Sequence, residues 1–218
     1  KIPDNVSSQE ATLAVLATTA MHAVRRADIK YGDTVAVIGC GVLGYLAMQH
    51  AKNNGARRVI SLDINDDRLK ITKETGADIC INPAKSDAVE EIRRLNGGML
   101  ADVVIEASGF KGTVQQAIEY VRERGRVVIL GWHTEDVEFT FGDLYFKEAK
   151  IIASQAIGPE AGLPYSYVRW TSDQSLKWAI ELISQGKITG KQFTPTVFNY
   201  SEIEKVYEMI DKRDPSVG

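Results

Sequence analysis

Three glycines in Gly39-Cys40-Gly41-Val42-Leu43-Gly44 directly follow the apolar run Thr34 to Ile38, and a carboxylate, Asp63, closes the next apolar run. An acid about 20 residues beyond such a turn is the spacing that dinucleotide binding requires. Gly39 permits a tight turn, Gly41 has no side chain to hold the backbone away from a pyrophosphate, and Gly44 lets the following helix pack closely on its strand. The N-terminus of that helix then faces the phosphates, where unpaired N–H groups and the positive dipole end favour an anion without a lysine. A glycine-rich turn in some other α/β protein is the competing reading. The strand before the glycines, the helix after them and the acid on the next strand favour the dinucleotide.

These residues need a scaffold, and the chain predicts one. Ser7-Ser8-Gln9-Glu10 reads as a capping box opening a nearly apolar helix from about Ser8 to Arg26. Strands and helices then alternate: strand Thr34 to Ile38, helix Val42 to Asn54, strand Arg58 to Asp63, helix Asp66 to Thr75, strand Ile79 to Asn82 and helix Asp87 to Leu95. The series continues with strand Asp102 to Ala107, helix Gly112 to Arg122, strand Arg126 to Leu130 and strand Ile151 to Ser154. Unbroken apolar runs such as Val103-Val104-Ile105 indicate a parallel sheet buried on both faces. Gly55, Gly76 and Gly125 fall where helices should end. Beyond Ser154 the pattern predicts a loop over Gly158 to Pro164, a helix from Asp173 to Gln185, a short strand near Thr196 to Phe198, and a helix from Ser201 to Lys212 capped by Ser201 with Glu204. The closing Asp214-Pro215-Ser216-Val217-Gly218 reads as a turn leading onward.

Composition narrows the class. With 218 residues, 44% hydrophobic and 25% charged, the chain can bury a real core as an ordinary globular protein does. A net charge of −3 offers no basic field for nucleic acid. Cys40 and Cys80 lack a Cys-x-x-Cys spacing and sit on or beside predicted strands, which suits a reducing cytoplasm rather than a disulfide framework. The most apolar stretch, Ala11 to Val24, is interrupted by threonines and His22 and is too short to span a bilayer.

With these elements laid out, the chain resembles the medium-chain dehydrogenase/reductase superfamily of zinc alcohol, sorbitol and threonine dehydrogenases. The resemblance is carried by Gly32 through Gly44, Ser61-Leu62-Asp63-Ile64-Asn65-Asp66-Asp67-Arg68, Glu106-Ala107-Ser108-Gly109, Gly125 through Gly131, and Phe146-Lys147 ahead of Ile151-Ile152-Ala153-Ser154. It implies an α/β fold, a Rossmann-type doubly wound parallel sheet with remnants of a catalytic lobe at both ends. Residues 1–30 become a helical segment bordering that lobe, 31–155 the NAD-binding domain, and 156–218 a helical extension; the lobe itself is absent, which makes the chain a fragment. The resemblance further implies that Asp63, with Ile64 beside it, takes the adenosine ribose, and a carboxylate there also repels a 2′-phosphate, so NAD is the expected cofactor. Arg68 matches a basic position near the same ribose, with a solvated surface role as the alternative. Ser108, Gly109, Leu130, Gly131 and Trp132 fall at carboxyl ends of strands and are expected to contact the nicotinamide half, and Thr18, Thr19 and Ala20 match a stretch that approaches it.

Departures from the family matter as much. The sorbitol-type branch has a Glu-Pro pair where this chain reads Ala14-Val15-Leu16, and the alcohol-dehydrogenase cysteine of that segment is missing too. Zinc is therefore expected only in a parent protein that carries the missing lobe. His22, His50 and His133 have no partners at ligand spacing, so no metal site is assigned. His22 reads as a packing or surface residue, His50 as solvated, and His133 as a candidate substrate or nicotinamide contact. Arg93-Arg94 and Arg122-Glu123-Arg124 read as cations offsetting helix C-termini.

The expected function is the NAD-binding portion of an oxidoreductase moving hydride between NAD(H) and an alcohol or polyol. No catalytic residue is assigned within the chain, and a stand-alone dinucleotide-binding or sensing module is the alternative. A short-chain dehydrogenase is disfavoured because no tyrosine is followed four residues later by lysine. Finally, Val137-Glu138-Phe139-Thr140-Phe141 alternates apolar and polar residues, predicting an edge strand through which two copies pair as a homodimer.

Overall fold

The computed structural model describes residues 1–155, 170–192 and 197–212. Six strands, β1 (Thr34–Ile38), β2 (Arg58–Leu62), β3 (Ile79–Ile81), β4 (Ala101–Glu106), β5 (Val121–Ile129) and β6 (Lys150–Ala153), form one sheet in the order β3-β2-β1-β4-β5-β6. Every pairing is parallel. The order reverses between β1 and β4, and that crevice at the strands' carboxyl ends is where an open α/β sheet binds ligands.

Two apolar layers explain the unbroken hydrophobic runs. On β1, Val35 and Val37 join one core cluster while Ala36 and Ile38 join the other, so both faces are buried. The first cluster is covered by α2 (Ala14–Ala27), α3 (Val42–Asn53) and α8 (Ser172–Ser184). The second is covered by α5 (Ala88–Leu95) and α6 (Thr113–Tyr120), through Ile92, Ala117 and Tyr120. Between β2 and β3 runs α4 (Asp66–Glu74), capped by the Asn65 side chain.

Several elements differ from expectation. The first helix is split into α1 (Ser8–Ala11), with its capping box on Ser7 and Glu10, and α2, which starts after a break at Thr12 and Leu13. β5 begins at Val121, directly after α6, so Gly125 lies inside a strand rather than at a helix end. A side chain at Gly125 would meet the Asp102 carbonyl at 2.9 Å, which explains the glycine by contact with the neighbouring strand. Arg122 and Arg124 accordingly offset no helix dipole; they pair with Asp102 and Glu148. The α6 terminus is closed instead by Lys147, whose Nζ donates to the carbonyls of Ile118, Glu119 and Val121 at 2.7, 2.8 and 2.9 Å.

Residues 137–140 form no strand, and Phe141 opens a short helix, α7 (Phe141–Phe146). The alternation is real, but the outer edge of the sheet is β6, no described strand pairs with residues 137–140, and the Thr140 N–H instead donates to the Gln115 side chain at 2.8 Å. The last capping box is built by Asn199 and Glu202 on a 3₁₀ turn, Tyr200–Glu202, not by Ser201 and Glu204; α9 (Ile203–Asp211) follows it. The predicted loop 158–164 and the final turn lie outside the described residues, as does residue 196 of the predicted short strand, while 197–199 have no regular structure. Among the described residues no helix is long and apolar enough to cross a membrane.

Candidate dinucleotide site

The glycine turn joins β1 to α3 in a conformation that only its own residues allow. Gly39 adopts φ +87°, and a Cβ there would lie 2.8 Å from the Ser108 side chain. At Gly44 a Cβ would overlap the Gly39 carbonyl, so the first turn of α3 rests directly on the loop. Gly41 differs: a Cβ there meets nothing within 4 Å, and the residue caps α3 with no side-chain hydrogen bond. The first-turn N–H groups at Val42 and Leu43 are thus left for an outside acceptor. The open face at Gly41 beside an uncapped helix end fits a pyrophosphate.

Asp63, just past β2, is 8% exposed and serves the same loop. One carboxylate oxygen accepts from the Cys40 N–H at 2.6 Å and the other from the Asn65 N–H at 2.8 Å. Each oxygen keeps a second acceptor position, so ribose hydroxyls can still be received. The Arg68 guanidinium lies 4.0 Å from Asp63 on a half-exposed side chain, and Ile64 is exposed beside it. Burial, then the charge of Asp63, pushes the Cys40 thiol up to about 12, which makes it a packing residue rather than a nucleophile.

On the other side of the crevice, a cavity of about 350 Å³ is lined by residues 108–111 and 132–137. Ser108, Gly109 and Trp132 therefore stand together along one cavity, with Trp132 84% exposed and Leu130 buried. Gly109 sits at φ +68°, and a Cβ on it would lie 2.5 Å from the Trp132 carbonyl, so the loops after β4 and β5 touch at backbone distance. Thr18 and Thr19 are not brought to this cavity: their hydroxyls donate within α2, to the carbonyls of Ala14 and Val15 at 2.9 and 3.2 Å.

The carboxylate that sequence reasoning passed over is Glu106, the last residue of β4 and wholly buried. Its Oε1 accepts from the N–H groups of Ser108 and Gly109 at 2.8 and 3.1 Å and from the hydroxyls of Ser108 and Thr113 at 2.5 and 2.9 Å. Its Oε2 lies 2.9 Å from His133 Nε2. An ionisable residue ending an otherwise apolar, doubly buried strand was the available signal, because a buried charge demands partners.

The remaining histidines stand apart. His22 is half-buried on α2, and burial, then Arg26 and Arg25, lowers its pKa. His50 is buried, not solvated: it faces α2, and burial pushes its pKa down to about 4. It was misread because α3 is covered by α2 as well as by the sheet, which its own pattern does not reveal. Among the described residues, no three His, Cys, Asp or Glu side chains converge as a metal site, and both cysteines are free. The residues present thus fit a dinucleotide, and no zinc ligand set is assigned to them.

Known proteins share this architecture. The chain is 31% identical over 217 residues to the erythritol/L-threitol dehydrogenase of Mycolicibacterium smegmatis, covering 100% of this chain and 56% of that protein. Its fold superposes on an Escherichia coli oxidoreductase/dehydrogenase of unknown specificity with a TM-score of 0.85 at 28% identity, over 98% of this chain and 58% of the other. A Sinorhizobium meliloti structure described as a zinc-binding dehydrogenase bound to NADP aligns with a TM-score of 0.73 at 29% identity, over 86% of this chain and 52% of that one. The chain thus spans a little over half the length of these relatives. A family profile described as zinc-binding dehydrogenase matches residues 42–169, from the first turn of α3 to beyond β6, which is more than half of the chain. By that match and by its sheet order, the chain belongs to the zinc-binding dehydrogenase family.

Proposed function

We propose that this chain is the NAD(H)-binding portion of an alcohol or polyol dehydrogenase. The observation that carries this reading is the open face at Gly41, at an uncapped helix terminus, next to a carboxylate held at the end of β2. In this reading Val42, Leu43 and Gly44 N–H groups receive the pyrophosphate, and Asp63 accepts from the adenosine ribose hydroxyls with Arg68 alongside. Ser108, Gly109, Leu130, Gly131 and Trp132 form the wall for the nicotinamide half. Thr18 and Thr19, buried on α2 outside that cavity, are given no contact with it in this reading. NAD, when bound, supplies the hydride acceptor. The division into 1–30, 31–155 and 156–218 belongs to the same reading, with the substrate-facing groups contributed by sequence outside this chain.

The substrate class rests on family membership and on the polyol named for the mycobacterial relative. Removing a hydride from an alcohol also requires a group that takes the hydroxyl proton. We assign that role to no residue of this chain, and expect no turnover from it alone. Two free cysteines fit a reducing cytoplasm. A homodimer through residues 137–141 completes the proposal.

Cofactor choice tests it. By calorimetry NAD should bind at least about tenfold tighter than NADP, worth about 1.4 kcal/mol. An Asp63→Asn variant, which keeps an acceptor for the loop but loses the charge, should bring the two to within about threefold. Equal affinities in the wild type would refute the assignment of Asp63, a live outcome because one relative holds NADP.

A further inference from the structure

We infer that Glu106 is a positioning residue that sets affinity for the nicotinamide half of the dinucleotide without touching it, by locking the loops after β4 and β5 into one wall. The inference rests on the proposed cofactor reading and deepens it. Its basis is a set of contacts that all originate from one residue. The carbonyl of Glu106 accepts from the N–H groups of Leu130 and Gly131 at 2.8 and 2.9 Å. Its side chain holds the other loop through Ser108, Gly109 and Thr113, and reaches across to His133 at 2.9 Å.

Chemistry explains why a glutamate does this. An ionised carboxylate accepts at both oxygens and donates at neither, so its four Oε1 contacts come from donors. Against an ionised Oε2, His133 must present an Nε2–H, and that bond holds the ring at the cavity. Space is equally constrained. A Cβ at Gly131 would lie 2.7 Å from Glu106 Oε2, so the second loop closes directly over the carboxylate and keeps water from it. Fully buried bonds to a charge are strong, and their loss leaves several donors unpaired at once. The cavity wall is then free to change shape, while the glycine turn and Asp63, built on β1 and β2, are not.

That separation makes the test. Calorimetric titration of the chain with NAD and with ADP-ribose, which lacks the nicotinamide, compares the two halves of the site. Glu106→Ala and His133→Ala should each weaken NAD about tenfold while leaving ADP-ribose within about twofold. Glu106→Gln, which retains an oxygen toward Ser108 and Gly109 and whose amide N–H the His133 ring can accept in its other tautomer, should restore NAD to within about threefold of wild type. His133→Ala cuts only at the cavity side and guards against an unfolded Glu106→Ala. Equal losses for NAD and ADP-ribose in His133→Ala and Glu106→Gln, or no loss in any variant, would overturn the positioning role. A wild type that binds neither ligand would instead overturn the cofactor reading beneath it.

Discussion

Two glycines three residues apart carry different constraints, one a tight contact within the fold and the other none at all. Gly44 is glycine because the Gly39 carbonyl occupies the place of a Cβ, whereas Gly41 has open space and an ordinary φ of −65°. Gly44→Ala should therefore cost about 3 kcal/mol or more, since neither backbone segment can withdraw. Gly41→Ala should cost only about 1 kcal/mol, the preference for glycine over alanine at an N-cap, yet weaken NAD by about tenfold or more through its methyl group. Urea unfolding and calorimetry on both variants read these effects. A stable Gly44→Ala, or a Gly41→Ala that binds NAD normally, would contradict the geometry. Sequence spacing singled out all three glycines, and the tight contacts at Gly39 and Gly44 follow from the lack of one atom. It could not reveal that Asp63 also ties down Cys40.

Helix packing decides what happens to His50. In the second half of α3, this side chain lies against α2, and burial, in part opposed by the Ala17 carbonyl and aided by Arg25, pushes it from 6.5 to about 4. Arg25 and Lys187 line the adjoining cleft, so no carboxylate there offsets a proton on the ring. The folded state keeps the imidazole neutral while the unfolded chain protonates near pH 6.5, so stability is fully present above that pH. It is lost as pH falls from 6.5 toward 4. The loss should amount to about 2–3 kcal/mol by pH 4.5, as an order of magnitude. His50→Leu should remove that part of the slope, the half-buried His22 contributing the same background to both proteins. Urea midpoints at pH 7 and 4.5 measure it; parallel slopes would show that the ring is protonated in the folded protein. At this scale the sequence was legible where a side chain acts on its own helix, as Ser7 and Glu10 do, and misleading where an equivalent pattern recurs two residues away, as at Asn199 and Ser201.

The whole molecule leaves an apolar surface beside the edge of its sheet. Phe141, Tyr145 and Phe146 are 68%, 67% and 82% exposed around α7, and residues 137–140 run up to them outside any described strand, with the Thr140 N–H bonded to Gln115. An alternating segment outside any strand can gain ladder hydrogen bonds from another chain, and a two-fold axis lets two such segments pair with each other. We expect a homodimer in sedimentation experiments and a monomer for Phe139→Lys. A monomeric wild type, or a variant that dimerises equally well, would remove this interface.

What the sequence determined by itself was local or periodic. The glycine spacing, the acid at the end of β2 and the alternation of doubly apolar strands with helices each leave a pattern within a few neighbouring residues, and together they specified a parallel α/β sheet with its ligand edge. Tertiary structure decided what depends on residues far apart in the chain. Gly125 is a glycine because β4 lies beside it, and Lys147 closes a helix that ended 27 residues earlier, at Tyr120. His50 is neutral because α2 covers it, and Glu106 binds His133 because β5 returns beside β4. Such roles depend on who the neighbours are, and only the closing of the sheet and its two helical layers selects them.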